Sequence, residues 1–168
     1  MKIICDTDLL SVFAKVDRLD LLQKAFPEGE FIISESVFDE LLYSLEEGFD
    51  FPEKIFEKCE ITSLKQNEIK VYKKWRKKSK FFTISKADLR TLIIGKERDI
   101  PILSNDRRLL ELADKKSLLA LDIYDIFKLL FGNKILTEEN IRDITTMMEE
   151  KDNTKFKDKE KIFSTKPS

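Results

Sequence analysis

Asp6, Thr7 and Asp8 follow directly on a short apolar run, Ile3, Ile4 and Cys5, and Asp106 follows in the same way on Pro101 to Leu103, through Ser104 and Asn105. Carboxylates gathered at one place do oxygen chemistry. Two of them about 4 Å apart repel by roughly 4 kcal/mol at an effective dielectric near 20, so a cluster lacking a basic partner needs protons or a hard cation. Ligands that are all oxygen, with room for water, describe Mg²⁺ or Mn²⁺. The chain has no histidine, which removes Ser-His and Cys-His nucleophilic chemistry and every imidazole metal site. Its two cysteines cannot form a zinc cluster by themselves, and Cys5 sits where a thiol behaves as a small hydrophobe. A plainer role competes at each acid, because Asp or Thr at the start of a helix commonly caps it. On this reading the cap suits Asp8 better than Asp6.

Two further acids are candidates. Asp88 falls near the start of a helix opened by Ser85, in a capping-box variant with Asp in place of Glu or Gln, and it shares a helix face with Leu92 and Gly95. On the helix marked by Val37, Phe38, Leu41, Leu42 and Leu45, Asp39 and Glu40 lie equally far from the apolar arc, so periodicity does not choose between them.

The elements that must position these acids alternate. Apolar runs at Ile3 to Cys5, Phe31 to Ile33, Pro101 to Leu103 and Leu118 to Leu121 read as strands, and helical periods separate them, with a break near Asp17-Arg18. Ile61 reads as a brief strand or an extended link. This order predicts an α/β/α sandwich around a parallel sheet of about four strands. In such a sheet Asp6 and Asp106, each just past a strand, emerge at the same carboxyl edge, where ligands bind.

Length and composition suit one such domain: 168 residues, 42% hydrophobic and 38% charged, with only four glycines. Residues 1–150 form the expected domain, and residues 151–168 read as a Lys-rich tail, mobile or docked on a partner, with Phe156, Ile162 and Phe163 as its anchors. No signal-peptide pattern follows Lys2 and no apolar run approaches a membrane span, so the expectation is a cytoplasmic protein that makes no membrane contact. The formal charge of −1 conceals an acidic stretch from 28 to 60 and a run from Lys70 to Lys80 with seven cations and no acid.

Taken together, Ile4-Cys5-Asp6-Thr7, Val37-Phe38-Asp39-Glu40-Leu41, Ala87-Asp88 with Leu92, and Leu103-Ser104-Asn105-Asp106 followed by Arg107, Arg108 and Leu109 resemble the PIN-domain nucleases, which include the VapC toxins of toxin-antitoxin pairs. The resemblance covers residues 2 to about 131 and selects Glu40 over Asp39. It implies a PIN-like sandwich and a metal-dependent endoribonuclease, with Asp6, Glu40, Asp88 and Asp106 as the catalytic acids that hold Mg²⁺ or Mn²⁺. Ser104 and Thr7 would orient these carboxylates, and Asp8, where the family commonly has Asn or Ser, would join them or bind water. It also implies RNA as partner and, for a toxin, an antitoxin and a homodimer. Phosphate contacts are expected from Lys70, Lys73, Lys74, Arg76, Lys77 and Lys78, with Tyr72 or Trp75 stacking a base or Trp75 lying in the core, and from Arg107 and Arg108. Two other readings stand beside it. One is a PIN fold that binds RNA or protein without cutting. The other is a phosphatase of the haloacid dehalogenase type, suggested by the spacing of Asp6 and Asp8 but lacking the glycine expected soon after the second acid.

Overall fold

In the computed structural model, which describes residues 1–164, the first apolar run forms β1 (Lys2–Cys5) and occupies the centre of the sheet. Two parallel neighbours flank it: β2 (Glu30–Ser34), with Ile4 opposite Ile32, and β4 (Ile102–Leu103), with Ile4 opposite Ile102. The edges are β3 (Glu60–Thr62) beside β2 and β5 (Ala120–Leu121) beside β4, so the order is β3-β2-β1-β4-β5 and every pairing is parallel. The sheet therefore has five strands where the sequence predicts about four. The added strand is β3, whose one large apolar residue, Ile61, is half exposed. An edge strand of this kind presents almost no hydrophobic signal.

Successive side chains of a strand point to opposite faces, and this sorts the core into two layers. Ile3, Cys5, Phe31, Ile33 and Leu103 pack against α1 (Thr7–Lys15), α2 (Asp20–Ala25), α3 (Glu35–Glu46), α4 (Phe51–Phe56), α8 (Ile123–Gly132) and α9 (Glu138–Lys151). Ile4, Ile32 and Ile102 pack against α5 (Gln66–Trp75), α6 (Lys86–Arg98) and α7 (Arg107–Asp114). Cys5 is wholly buried and serves as a core residue. The break expected near Asp17 is real: Asp17 turns to φ 58°, which separates α1 from α2.

On the second face α6 lies unusually close to β4. A Cβ on Gly95 would stand 2.7 Å from Cγ1 and 2.8 Å from Cδ1 of the buried Ile102. That close approach fixes α6, and with it Asp88, relative to the strand that leads into Ser104.

Residues 152–163 pack against the chain's own body instead of projecting from it. Phe156 is buried edge-on to Tyr124 and Phe127 at 5.6 and 6.2 Å, and Phe163 meets Phe131 at 5.2 Å from the short helix α10 (Glu160–Phe163), where Ile162 is buried. The anchors expected from the sequence thus find their partner within the chain itself. Residues 165–168 of the expected tail lie outside the described residues.

Candidate functional site

Asp6 closes β1, and its amide continues the ladder to the Leu103 carbonyl at 3.0 Å. Its carboxylate performs two tasks. Oδ1 accepts the Leu9 amide at 2.8 Å and so caps α1, while Oδ2 accepts the hydroxyl of the fully buried Ser104. The cap is therefore Asp6 and not Asp8, because α1 starts at Thr7, two residues earlier than the apolar period suggests, and Asp8 stands inside its first turn. Ser104 Oγ in turn accepts the Asp106 amide at 3.0 Å, and Asp106 caps α7 by accepting the Leu109 amide at 2.6 Å. One buried hydroxyl thus links the acids that follow two adjacent strands.

The other acids arrive from helices. Glu40 on α3 accepts the Thr7 hydroxyl, so Thr7 ties the start of α1 to α3. Asp88 on α6 accepts the Ser85 hydroxyl at 2.6 Å, while the Asp88 amide donates back to Ser85 Oγ at 3.0 Å. Ser85 is the site residue that sequence reasoning treated only as a cap. Asp6, Thr7, Asp8, Glu40, Ser85 and Asp88 together line a cavity of about 180 Å³. Asp106 lies beside this cavity, and its charge reaches Asp8 and Asp88.

Electrostatics mark the same group. Burial pushes the Asp6 carboxyl up to about 7, against the lowering effect of its bonds to Ser104 and Leu9, and Asp8 and Asp88 add repulsion. Asp8, Glu40 and Asp88 are raised as well, first by burial and also by neighbouring carboxylates. Among the described residues, no lysine or arginine stands within 4.0 Å of any of these acids. Their charge is thus left for a proton or a cation to balance. In donor type the set fits a hard divalent ion. In position it is not yet gathered: among the described residues, no three of His, Cys, Asp and Glu stand close enough to hold a metal ion. Asp6, Glu40, Asp88 and Asp106 each instead accept a hydrogen bond from a hydroxyl or amide.

The expected basic residues lie elsewhere. Lys70, Lys73, Lys74, Arg76, Lys77 and Lys78 are exposed on and after α5, and none lines the acidic cavity. Trp75 cannot stack a base as it stands, because it is buried against Phe81, ring on ring at 4.8 Å. Arg107 is exposed and pairs with Glu111 at 3.0 Å, whereas Arg108 donates to the Lys80 carbonyl at 3.0 Å.

A family model described as "DUF3368: PIN domain" matches residues 2–163. The chain belongs to this PIN-domain family. Among solved structures, this PIN domain is similar to a PilT N-terminus domain protein from the hyperthermophilic archaeon Sulfolobus solfataricus P2, with TM-score 0.53 and 10% identity over 82% of this chain and 98% of that one. It is also similar to VapBC2 from Rickettsia felis, solved bound to a DNA fragment from their promoter, with TM-score 0.54 and 19% identity over 73% of this chain and 98% of that one. At such identities the likeness concerns the fold. No curated protein matches the sequence significantly. Among the described residues, no helix of this PIN domain is long and apolar enough to cross a membrane.

Proposed function

We propose that the chain is a Mg²⁺- or Mn²⁺-dependent endoribonuclease in which Asp6, Glu40, Asp88 and Asp106 hold the ion, and that it acts as the toxin of a toxin-antitoxin pair. One observation carries the nuclease reading: carboxylates from four elements emerge at one sheet edge, burial and mutual repulsion raise Asp6, Glu40 and Asp88, and among the described residues no cation pairs with them. Membership of the PIN-domain family supports it. The toxin reading, with its antitoxin and homodimeric partners, draws on the sequence resemblance and on the fold shared with the Rickettsia felis protein.

A bound divalent ion would supply Lewis acidity at the phosphodiester and offset the repulsion among the acids. The chain's own residues perform the positioning. Ser104 holds Asp6 and the Asp106 amide together, Thr7 aims Glu40, and Ser85 aims Asp88. Asp8 adds a charge at the rim of the cavity. The exposed lysines of α5, with Arg107 and Arg108, are candidates to receive phosphates beyond the acidic edge.

A non-cleaving binding module is favoured by one feature, the acids' ungathered state among the described residues. The phosphatase reading is disfavoured by the sequence, in which Leu9-Leu10 stand where a glycine is expected soon after Asp8. The deciding experiment measures cleavage of single-stranded RNA by the parent, Asp6→Asn and Asp106→Asn with Mn²⁺, Mg²⁺ or EDTA. Loss of at least about a hundredfold in both variants, with circular dichroism unchanged, is expected. Millimolar Mn²⁺ should also raise the parent's melting temperature, since it binds the folded acids preferentially. Equal residual cutting by parent and variants would overturn the site, and RNA binding without cutting or metal response would establish the binding module.

A further inference from the structure

Thr7 and Asp8 line the acidic cavity and also a neighbouring cleft of about 430 Å³, walled on its far side by Asp152, Asn153 and Thr154 and reaching Asn105. Asn105 also lines a third cavity, of about 560 Å³. The three adjoin through these shared residues, forming a groove whose lining turns from acidic to basic. In its last part stand Arg107 from α7, Lys128 from α8, and Lys155, Lys157 and Lys161 from the segment after α9.

That segment is held in place at several points. Lys15 on α1 pairs with Asp152 at 2.5 Å where the segment begins, Phe156 is buried on α8, and Glu149 accepts the Phe156 amide at 3.0 Å. Lys155 and Lys157 flank the buried Phe156 and are exposed. Three carboxylates share the third cavity, but they are engaged. Asp122 and Asp125 cap α8 reciprocally, at 3.0 and 3.1 Å, and Asp158 faces Lys161 at 3.9 Å. Among the described residues, no carboxylate lies within 4.0 Å of the ammonium groups of Lys128, Lys155 or Lys157, whereas Lys159 turns away to Glu149. Of these cations, drawn from three elements, Lys128, Lys155 and Lys157 lack a carboxylate partner among the described residues, whereas Arg107 pairs with Glu111 and Lys161 faces Asp158; in series with an acidic site, the set suits a ligand carrying its negative charges in series.

We propose that Arg107, Lys128, Lys155, Lys157 and Lys161 form a phosphate-binding arm of the groove, which holds the backbone of an RNA strand on one side of the acidic pocket. This assignment rests on the ribonuclease reading and deepens it, since the segment after α9 becomes a wall of the substrate site. It reads charge and not sequence, because lysines touching phosphates carry no base information.

The test replaces Lys155, Lys157 and Lys161 by Gln in the full chain, with Lys2, Lys24 and Lys58 replaced by Gln as a control of equal net charge. Binding of labelled single-stranded RNA is measured in EDTA across a salt series. The arm variant should bind about tenfold more weakly at low salt, and its log-log salt slope should fall by about 2, since each phosphate neutralised on a single strand adds roughly 0.7 to that slope; the control should match the parent. With Mn²⁺, hydrolysis of bis(p-nitrophenyl) phosphate by the parent reports the acidic pocket alone. An unchanged slope, an equal loss in the control, or poly-glutamate bound with the same lysine dependence would overturn the arm. If the parent cuts neither RNA nor the small diester, the ribonuclease reading fails, and the binding measurement still decides the arm.

Discussion

Asp6 carries the cost of the site. Its folded carboxyl titrates near 7 and that of an unfolded chain near 3.8, so between these values the folded state keeps a proton that the unfolded state has released. Stability of the metal-free protein should therefore fall as pH rises through this window and level off above it, by at most about 4 kcal/mol for a shift of roughly three units. Asp8, Glu40 and Asp88 are shifted in the same direction and add to the trend. Groups held low by ion pairs, such as Glu68 beside Arg98 or Asp152 beside Lys15, are already ionised at pH 5 and contribute little above it. Urea melts in EDTA at pH 5 and pH 8 check this, and a parent equally stable at both would contradict it. Asp6→Asn should flatten the profile and stabilise the protein at pH 8 by about 1–3 kcal/mol. The Asn oxygen can still accept the Leu9 amide, and its amide can donate to Ser104.

At the scale of elements, α6 is where packing sets the site. Alanine in a helix interior is ordinarily better than glycine by about 1 kcal/mol, but at Gly95 the added methyl would meet Ile102 at 2.7 Å within a closed core. Overpacking should win, and Gly95→Ala should lose about 1–3 kcal/mol in urea melts, part of it recovered with Ile102→Val. Elements of this kind were readable in advance wherever burial imposes a period. The central strands, the capped start at Ser85, and the break at Asp17 all leave a pattern in the residues. β3 does not, because an exposed edge needs no apolar alternation. The site was legible to a similar degree. Acids that directly follow strands must emerge at one edge, whereas Glu40 could not be told from Asp39 by periodicity, since both flank the apolar arc equally. Ser85 and the hydroxyl link through Ser104 depend on side-chain direction in three dimensions, which spacing along a chain does not encode.

At the scale of the whole molecule, the segment after α9 decides whether the chain is a domain with an appendage or one cooperative unit. Composition suggested an appendage, since lysines outnumber apolar residues from 151 to 168. Burial points the other way, because Phe156 fills the space between Tyr124 and Phe127, and Phe127 itself packs on Phe13 of α1 at 6.0 Å. Three aromatic residues thus join the end of the chain to its first helix. Removing Phe156 would open a cavity in that layer, and large-to-small changes of this kind cost about 3–5 kcal/mol when the surroundings cannot collapse. Phe156→Ala should therefore lower the global free energy of unfolding by about 3 kcal/mol and speed amide exchange across residues 153–163 and in α1 alike. Urea melts joined to hydrogen exchange distinguish the cases. Fast exchange confined to 153–163, with global stability unchanged, would mean that the segment detaches on its own and that the groove can lose its wall without the fold opening.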